Sequence, residues 1–116
     1  VACGDRPASG STTRTVRGGT AFGYDYATLA HHRRNKRMEP FLFSFPRRID
    51  RHVHFEHEGE EFLFILSGRV EFEVNGDKYI LEEGDSLYFD ASQPHRGRAL
   101  GSSAKAIVVT YTPRKK

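Results

Sequence analysis

Val70-Glu71-Phe72-Glu73-Val74-Asn75-Gly76-Asp77-Lys78-Tyr79-Ile80-Leu81 is the stretch that decides the fold class of this chain. Val70, Phe72 and Val74 alternate with Glu71 and Glu73, the period of a strand with one face buried. Asn75-Gly76 supplies two residues that accept positive φ, the signal of a type I′ hairpin, and Lys78 to Leu81 is the returning strand. The same pattern continues on both sides. Upstream, Glu60 to Leu66 is nearly all apolar after its acids and ends before Gly68, which predicts a strand covered on both faces. Phe41-Leu42-Phe43-Ser44-Phe45-Pro46 is a strand with Phe41, Phe43 and Phe45 on one face. Ala21 to Ala30 alternates Phe22, Tyr24 and Tyr26, and a basic run with Met38-Glu39-Pro40 forms the connection between these two strands. Downstream, Glu82-Glu83-Gly84-Asp85 is a turn, followed by strands at Ser86 to Phe89, Pro94 to Leu100 and Lys105 to Thr112, the last with Val109 and Tyr111 on one face. No segment has a helical period. Many short strands separated by turn residues describe an all-β antiparallel sandwich or barrel.

The chain has 116 residues, enough for one domain with a real core. No apolar run approaches the ~20 residues that span a bilayer, so no membrane partner is expected. Cys3 is the single cysteine, which excludes an internal disulfide and a disulfide-stapled scaffold. The first residues lack the charged-then-apolar layout of a signal peptide, although Val1-Ala2-Cys3-Gly4 resembles the end of a lipoprotein cleavage site. A cytoplasmic location is the expectation. Ala2 to about Thr13 holds almost nothing to bury, so residues 1–18 are assigned to a flexible lead-in or linker and residues 19–116 to the folded domain. The net charge is +3, with basic residues gathered from His31 to Arg37 and at Arg114-Lys115-Lys116. No aromatic platform or recognition helix accompanies them, so they are read as a solvated loop and tail, and no direct nucleic-acid binding by this chain alone is expected. His31 and His32 are expected to be exposed.

Chemistry concentrates in two glycine-marked segments, His57-Glu58-Gly59-Glu60-Glu61-Phe62-Leu63-Phe64-Ile65-Leu66-Ser67-Gly68 and Gly84-Asp85-Ser86-Leu87-Tyr88-Phe89-Asp90-Ala91-Ser92-Gln93-Pro94-His95. His57, Glu61 and His95 offer two imidazoles and one carboxylate, the donor set of non-haem Fe(II) sites, and one that also suits Mn, Ni, Cu or Zn. His57 and Glu61 lie an even number of residues apart, so a strand aims both inward provided Gly59 does not bulge. His52 and His54 have the opposite parity and face away. His95 arrives from a separate strand. About three coordination positions of a six-coordinate ion remain for water or a bidentate small molecule. Glu60 is either solvent-facing or a support for a histidine. Arg96 and Arg98 flank His95 and are candidates to meet an anionic ligand, against the commoner role of surface arginines. Phe62, Phe64 and Leu66 form the other face of the Glu61 strand and are read as sheet-to-sheet core or a dimer contact. Tyr88 and Phe89 are read as core, and no role is assigned to Cys3.

The two segments resemble the paired motifs of the cupin superfamily, whose fold is a jelly-roll (double-stranded β-helix) barrel with a metal in its mouth. The usual first motif places two histidines one residue apart, then a glutamate, then a glycine. His57, Glu61 and Gly68 match the second histidine, the glutamate and the glycine, while Phe55 stands in the first-histidine slot. Reading His52 and His54 as the pair puts Glu58 in the acid slot and Ile65 where the glycine belongs, a less consistent register. In the second motif Gly84 and His95 match, while Asp90, Ser92 and Ala99 replace the usual Pro, Gly and Asn. The resemblance spans about Pro40 to Tyr111 and is greatest to the C-terminal cupin domains of bacterial helix-turn-helix regulators. The three-ligand pattern also looks like that of an iron-dependent epoxidase acting on a phosphonate. The resemblance implies a divalent transition metal, a small-molecule ligand and a homodimer, with the domain serving as the effector-sensing part of a transcription regulator. The alternative is a stand-alone metal-dependent enzyme of dioxygenase or isomerase type. Beside the metal ligands the sequence offers only Glu60 or a tyrosine as a general base, which favours sensing. The intact triad argues against a metal-free storage or structural role.

Overall fold

Alternating apolar positions build eight strands: β1 (Asp25–Thr28), β2 (Met38–Ser44), β3 (Glu60–Ser67), β4 (Arg69–Val74), β5 (Asp77–Glu82), β6 (Ser86–Asp90), β7 (His95–Ala99) and β8 (Lys105–Tyr111). The structure, a computed structural model, describes residues 25–49 and 53–113. The expected lead-in with Cys3, the upstream part of the first strand with Phe22 and Tyr24, His52 and the terminal Arg114-Lys115-Lys116 lie outside the described residues. Among the described residues there is no helix, and so none long and apolar enough to cross a membrane.

The strands form a five-stranded sheet in the order β1-β2-β8-β3-β6 and a three-stranded sheet in the order β5-β4-β7. Every pairing is antiparallel. The two sheets face each other as a double-stranded β-helix, an antiparallel barrel as the strand pattern predicts and the jelly roll that the cupin resemblance implies. The Asn75-Gly76 turn joins β4 to β5 with positive φ at both residues, 51° and 88°, as a type I′ hairpin requires. Leu63 and Ile65 of β3 and Val70 of β4 are fully buried and meet Phe72, Val74, Phe89 and Val108 between the sheets. Full burial of each large aliphatic side chain stabilises the fold by about 1.5–3 kcal/mol.

Three expectations are corrected. Met38-Glu39-Pro40 is the start of β2, not a connection. β8 runs on to Tyr111, and the pairs Met38↔Tyr111 and Pro40↔Val109 extend the ladder, Pro40 having only its missing N–H to lose. β3 is buried on one face only: Glu61, Leu63 and Ile65 point inward, whereas Phe64 and Leu66 are 37% and 40% exposed. Its apolar run therefore reflects an outer face that the described residues leave partly exposed, and Phe62, Phe64 and Leu66 are not sheet-to-sheet core. Tyr88 is 64% exposed while Phe89 is buried, because adjacent strand residues point to opposite faces. Tyr88 and Val109 flank Phe62 on that outer face, each as its cross-strand partner. The shared face of Phe41, Phe43 and Phe45 is observed, and it faces the barrel interior.

Candidate metal centre

The first ligand depends on a break in the chain. In a continuous strand, residues four apart are separated by ~13 Å, too far for an imidazole to reach a carboxylate. Gly59 resolves this by turning with φ +110°, and a Cβ at that position would stand 1.9 Å from the Tyr111 carbonyl oxygen. The His57 N–H donates to the Ala91 carbonyl at 2.9 Å, and the Ala91 N–H donates to Gly59 at 2.9 Å, which fixes the bend against the end of β6. His57 therefore lies outside β3, and its Nε2 comes within 3.1 Å of Glu61 Oε1. The parity argument assumed an unbroken strand at Gly59; the chain instead bends there, and the bend is what closes the distance between His57 and Glu61.

Glu61, the second residue of β3, is buried at 8% exposure. His95 opens β7 and is buried at 5%, its Nε2 3.7 Å from the same Glu61 Oε1. It is anchored by a two-bond bridge to Phe55, with N–H to carbonyl distances of 2.9 and 3.0 Å. The turn that delivers it is held by Asp90, whose carboxylate accepts from the Ser92 N–H and hydroxyl; these bonds hold the Asp90 pKa below its ordinary value. Asp90 and Ser92 thus form a working turn in place of the usual Pro and Gly.

The His95 Nδ1–H donates to the Gln93 carbonyl at 2.9 Å, and His57 Nδ1 faces the Glu58 carbonyl at 3.4 Å. A carbonyl only accepts, so His95 carries a proton on Nδ1 and leaves its Nε2 lone pair available to a metal, while the His57 Nε2–H donates to Glu61 Oε1 at 3.1 Å and would be displaced by a bound metal. Hydrogen bonding to Glu61, opposed by partial burial, raises the His57 pKa above its usual value. Burial among aromatic rings lowers that of His95 despite the nearby carboxylate. The three donor atoms lie within 4.8 Å of one another. Bond lengths of 2.0–2.2 Å place neighbouring donors about 3 Å apart, so the residues present fit a divalent transition ion. Such an ion would also balance the charge of the buried Glu61 carboxylate.

The triad borders a cavity of about 430 Å³ whose walls include Tyr26, Phe41, Phe43, Phe45, Phe55 and Phe72. Sequence reading missed this wall. Its signal was the alternation of Phe41, Phe43 and Phe45, which reveals a shared face but not what that face meets. Gly97 lets the wall close: a Cβ there would approach Phe72 Cδ2 to 2.6 Å.

The remaining candidates are not brought to the triad. Glu60 points to the outer face, where the Tyr88 hydroxyl donates to it, so it supports neither histidine. Arg98 and Arg96 belong to the alternate face of β7 and donate to their cross-strand partners Glu71 and Glu73 at 3.0 and 3.2 Å. Arg96 also borders the cavity. His54 Nε2 lies 4.0 Å from Glu73 Oε2 and is not among the three grouped donors.

The family model described as a cupin domain matches residues 41–111. The chain belongs to the cupin family. The cupin match covers both motif segments, with His57, Glu61 and His95 inside it. No curated relative matches the sequence significantly. Among solved structures, the chain is similar to Fe(II)-HppE with the alternative substrate (S)-1-HPP, at 22% identity over 95% of this chain and 60% of that one, TM-score 0.72. It is similar to an RmlC-like cupin from Shewanella frigidimarina at 18% identity over 93% of this chain and 90% of that one, TM-score 0.68. It is also similar to an HTH_3 family transcriptional regulator from Vibrio cholerae at 19% identity over 78% of this chain and 52% of that one, TM-score 0.62. At these identities the likeness is one of fold, and this cupin spans about half to three-fifths of the first and third of these proteins.

Proposed function

We propose that this cupin domain binds a divalent transition metal (Fe, Mn, Zn, Ni or Cu) through His57, Glu61 and His95 and holds a small-molecule ligand in the adjoining cavity. We read it as the effector-sensing part of a cytoplasmic transcription regulator. The observation that carries the metal is the convergence of two Nε2 atoms on one buried carboxylate. The metal's chemistry there is Lewis acidity or redox reactivity at open positions. Nδ1 contacts to the Glu58 and Gln93 carbonyls would orient both Nε2 atoms to a bound metal, and aromatic rings line the adjoining cavity. Sensing is favoured because, apart from the triad and the ion-paired Arg96, the cavity's titratable lining among the described residues is Tyr26. The fold likeness to the Vibrio cholerae regulator supports this reading. The fold likeness to Fe(II)-HppE supports the second reading, a stand-alone metal-dependent enzyme of dioxygenase or isomerase type.

The test is metal content by plasma mass spectrometry on untagged protein, with His57→Ala and His95→Ala as controls. One equivalent of metal, lost in both variants and kept in His54→Ala, supports the site; equal loss in all three variants overturns it. Ligand recovered unchanged from the metal-loaded protein supports sensing, and turnover supports the enzyme. We further propose that a second copy covers the outer face around Phe62, Phe64 and Leu66, giving a homodimer measurable by sedimentation.

A further inference from the structure

Charge and shape in the cavity together define a ligand class, an inference that rests on the metal reading above. Two neutral imidazoles and one carboxylate leave a divalent ion with one net positive charge. A monoanionic head with two oxygens neutralises that charge and occupies two adjacent open positions. The body of the ligand meets rings. Tyr26 stacks on Phe43 with centroids 5.3 Å apart and planes 6° from parallel. Phe41 presents its edge to Tyr26 at 5.2 Å and 81°. Phe55, held across from His95 by the backbone bridge, lines the cavity with the triad and stands where the family's usual pattern has a further histidine. The lining's one cation among the described residues, Arg96, is already matched by Glu73 at 3.2 Å. A phosphate or other highly charged tail would thus lie against aromatic faces without a counter-charge. A volume of about 430 Å³ is at the small end for ligand sites, the scale of a single-ring compound.

We propose that the site selects a small aromatic compound bearing a monoanionic bidentate oxygen head, with the head on the metal and the ring against Phe41, Phe43 and Phe55. Edge and face contacts favour an aromatic body over an aliphatic one of equal size.

The test compares ligands with the same head on the full chain loaded with Zn(II), after metal content has been measured. Isothermal titration with benzohydroxamate and acetohydroxamate isolates the body, and benzamide isolates the head. Cyclohexanecarbohydroxamate matches the body's size without its π face, so that affinity for it equal to that for benzohydroxamate overturns the aromatic choice. Benzohydroxamate is expected to bind at least about ten-fold more tightly than acetohydroxamate, with benzamide far weaker than either. Phe43→Ala should erase most of that preference and Phe43→Leu part of it, while metal content and acetohydroxamate affinity stay unchanged. Equal affinity for the two hydroxamates in the wild-type protein overturns the proposal. So does no binding of either by protein carrying a full equivalent of zinc, which leaves the metal centre standing. Failure to take up metal overturns the metal reading and this inference with it.

Discussion

The inner and outer faces of β3 alternate residue by residue and do opposite work. Glu61, Leu63 and Ile65 point inward, the first to the metal-ligand cluster and the other two to the core. Glu60, Phe62, Phe64 and Leu66 point outward, where Phe64 and Leu66 are partly exposed and Glu60 accepts from Tyr88. The adjacent glutamates differ in nothing but the side of the sheet. Burial makes Glu61 costly without a partner and therefore a strong ligand; exposure leaves Glu60 hydrated and chemically idle. The outer apolar residues carry the same hydrophobic character as the inner ones without a layer of the described residues to cover them, and they are the face proposed above for a second copy.

The largest expected difference between the faces is in metal binding. Glu61→Gln should weaken metal affinity by more than about 100-fold, the upper range for losing an outer supporting partner, while Glu60→Gln leaves it unchanged. Metal titration of both variants checks this, and equal losses would break the comparison. Stability comes next. Leu63→Ala should cost about 3 kcal/mol in denaturant unfolding, because Leu63 is fully buried, whereas Leu66→Ala should cost below about 1 kcal/mol in the monomer. Phe64→Glu sharpens the outer half: it should shift the protein from dimer to monomer in sedimentation and leave the metal content intact.

The smallest effect is a pH dependence confined to the inner face. In metal-free protein the bond to Glu61 raises the His57 pKa above 6.5, so its contribution to stability is complete below that pH and is lost as pH rises through the raised value. Burial lowers the His95 pKa below 6.5, so its contribution is complete above that pH and is lost as pH falls through the lowered value. The melting temperature of metal-free protein should therefore peak near pH 6.5 as far as these two groups decide it. Bound metal competes with protons for the imidazoles and should move the optimum upward. A melting temperature that climbs steadily from about pH 5.5 to about pH 8 without metal would break the link between His57 and Glu61.

How much of this was legible depended on whether the signal was local. Turn chemistry at Asn75-Gly76 and the alternation of Val70, Phe72 and Val74 marked the hairpin because both are short-range preferences. The ligands were legible by residue type and by their place beside glycine turns. Glu60's outward position follows from period two once the inward face is known, but the pairing of Arg96 and Arg98 with Glu73 and Glu71 was not legible, because those partners lie across a strand pair.

The sequence by itself determined the all-β class, the hairpins and the three donors, since backbone preferences and side-chain chemistry are properties of near neighbours. Only the tertiary structure decided that Gly59 bends His57 onto Glu61, that β7 carries His95 to the same carboxylate, and that the phenylalanines of β2 wall the cavity beside it. Those outcomes arise where residues far apart in the chain exclude water from the same volume, and no local pattern encodes which ones will meet.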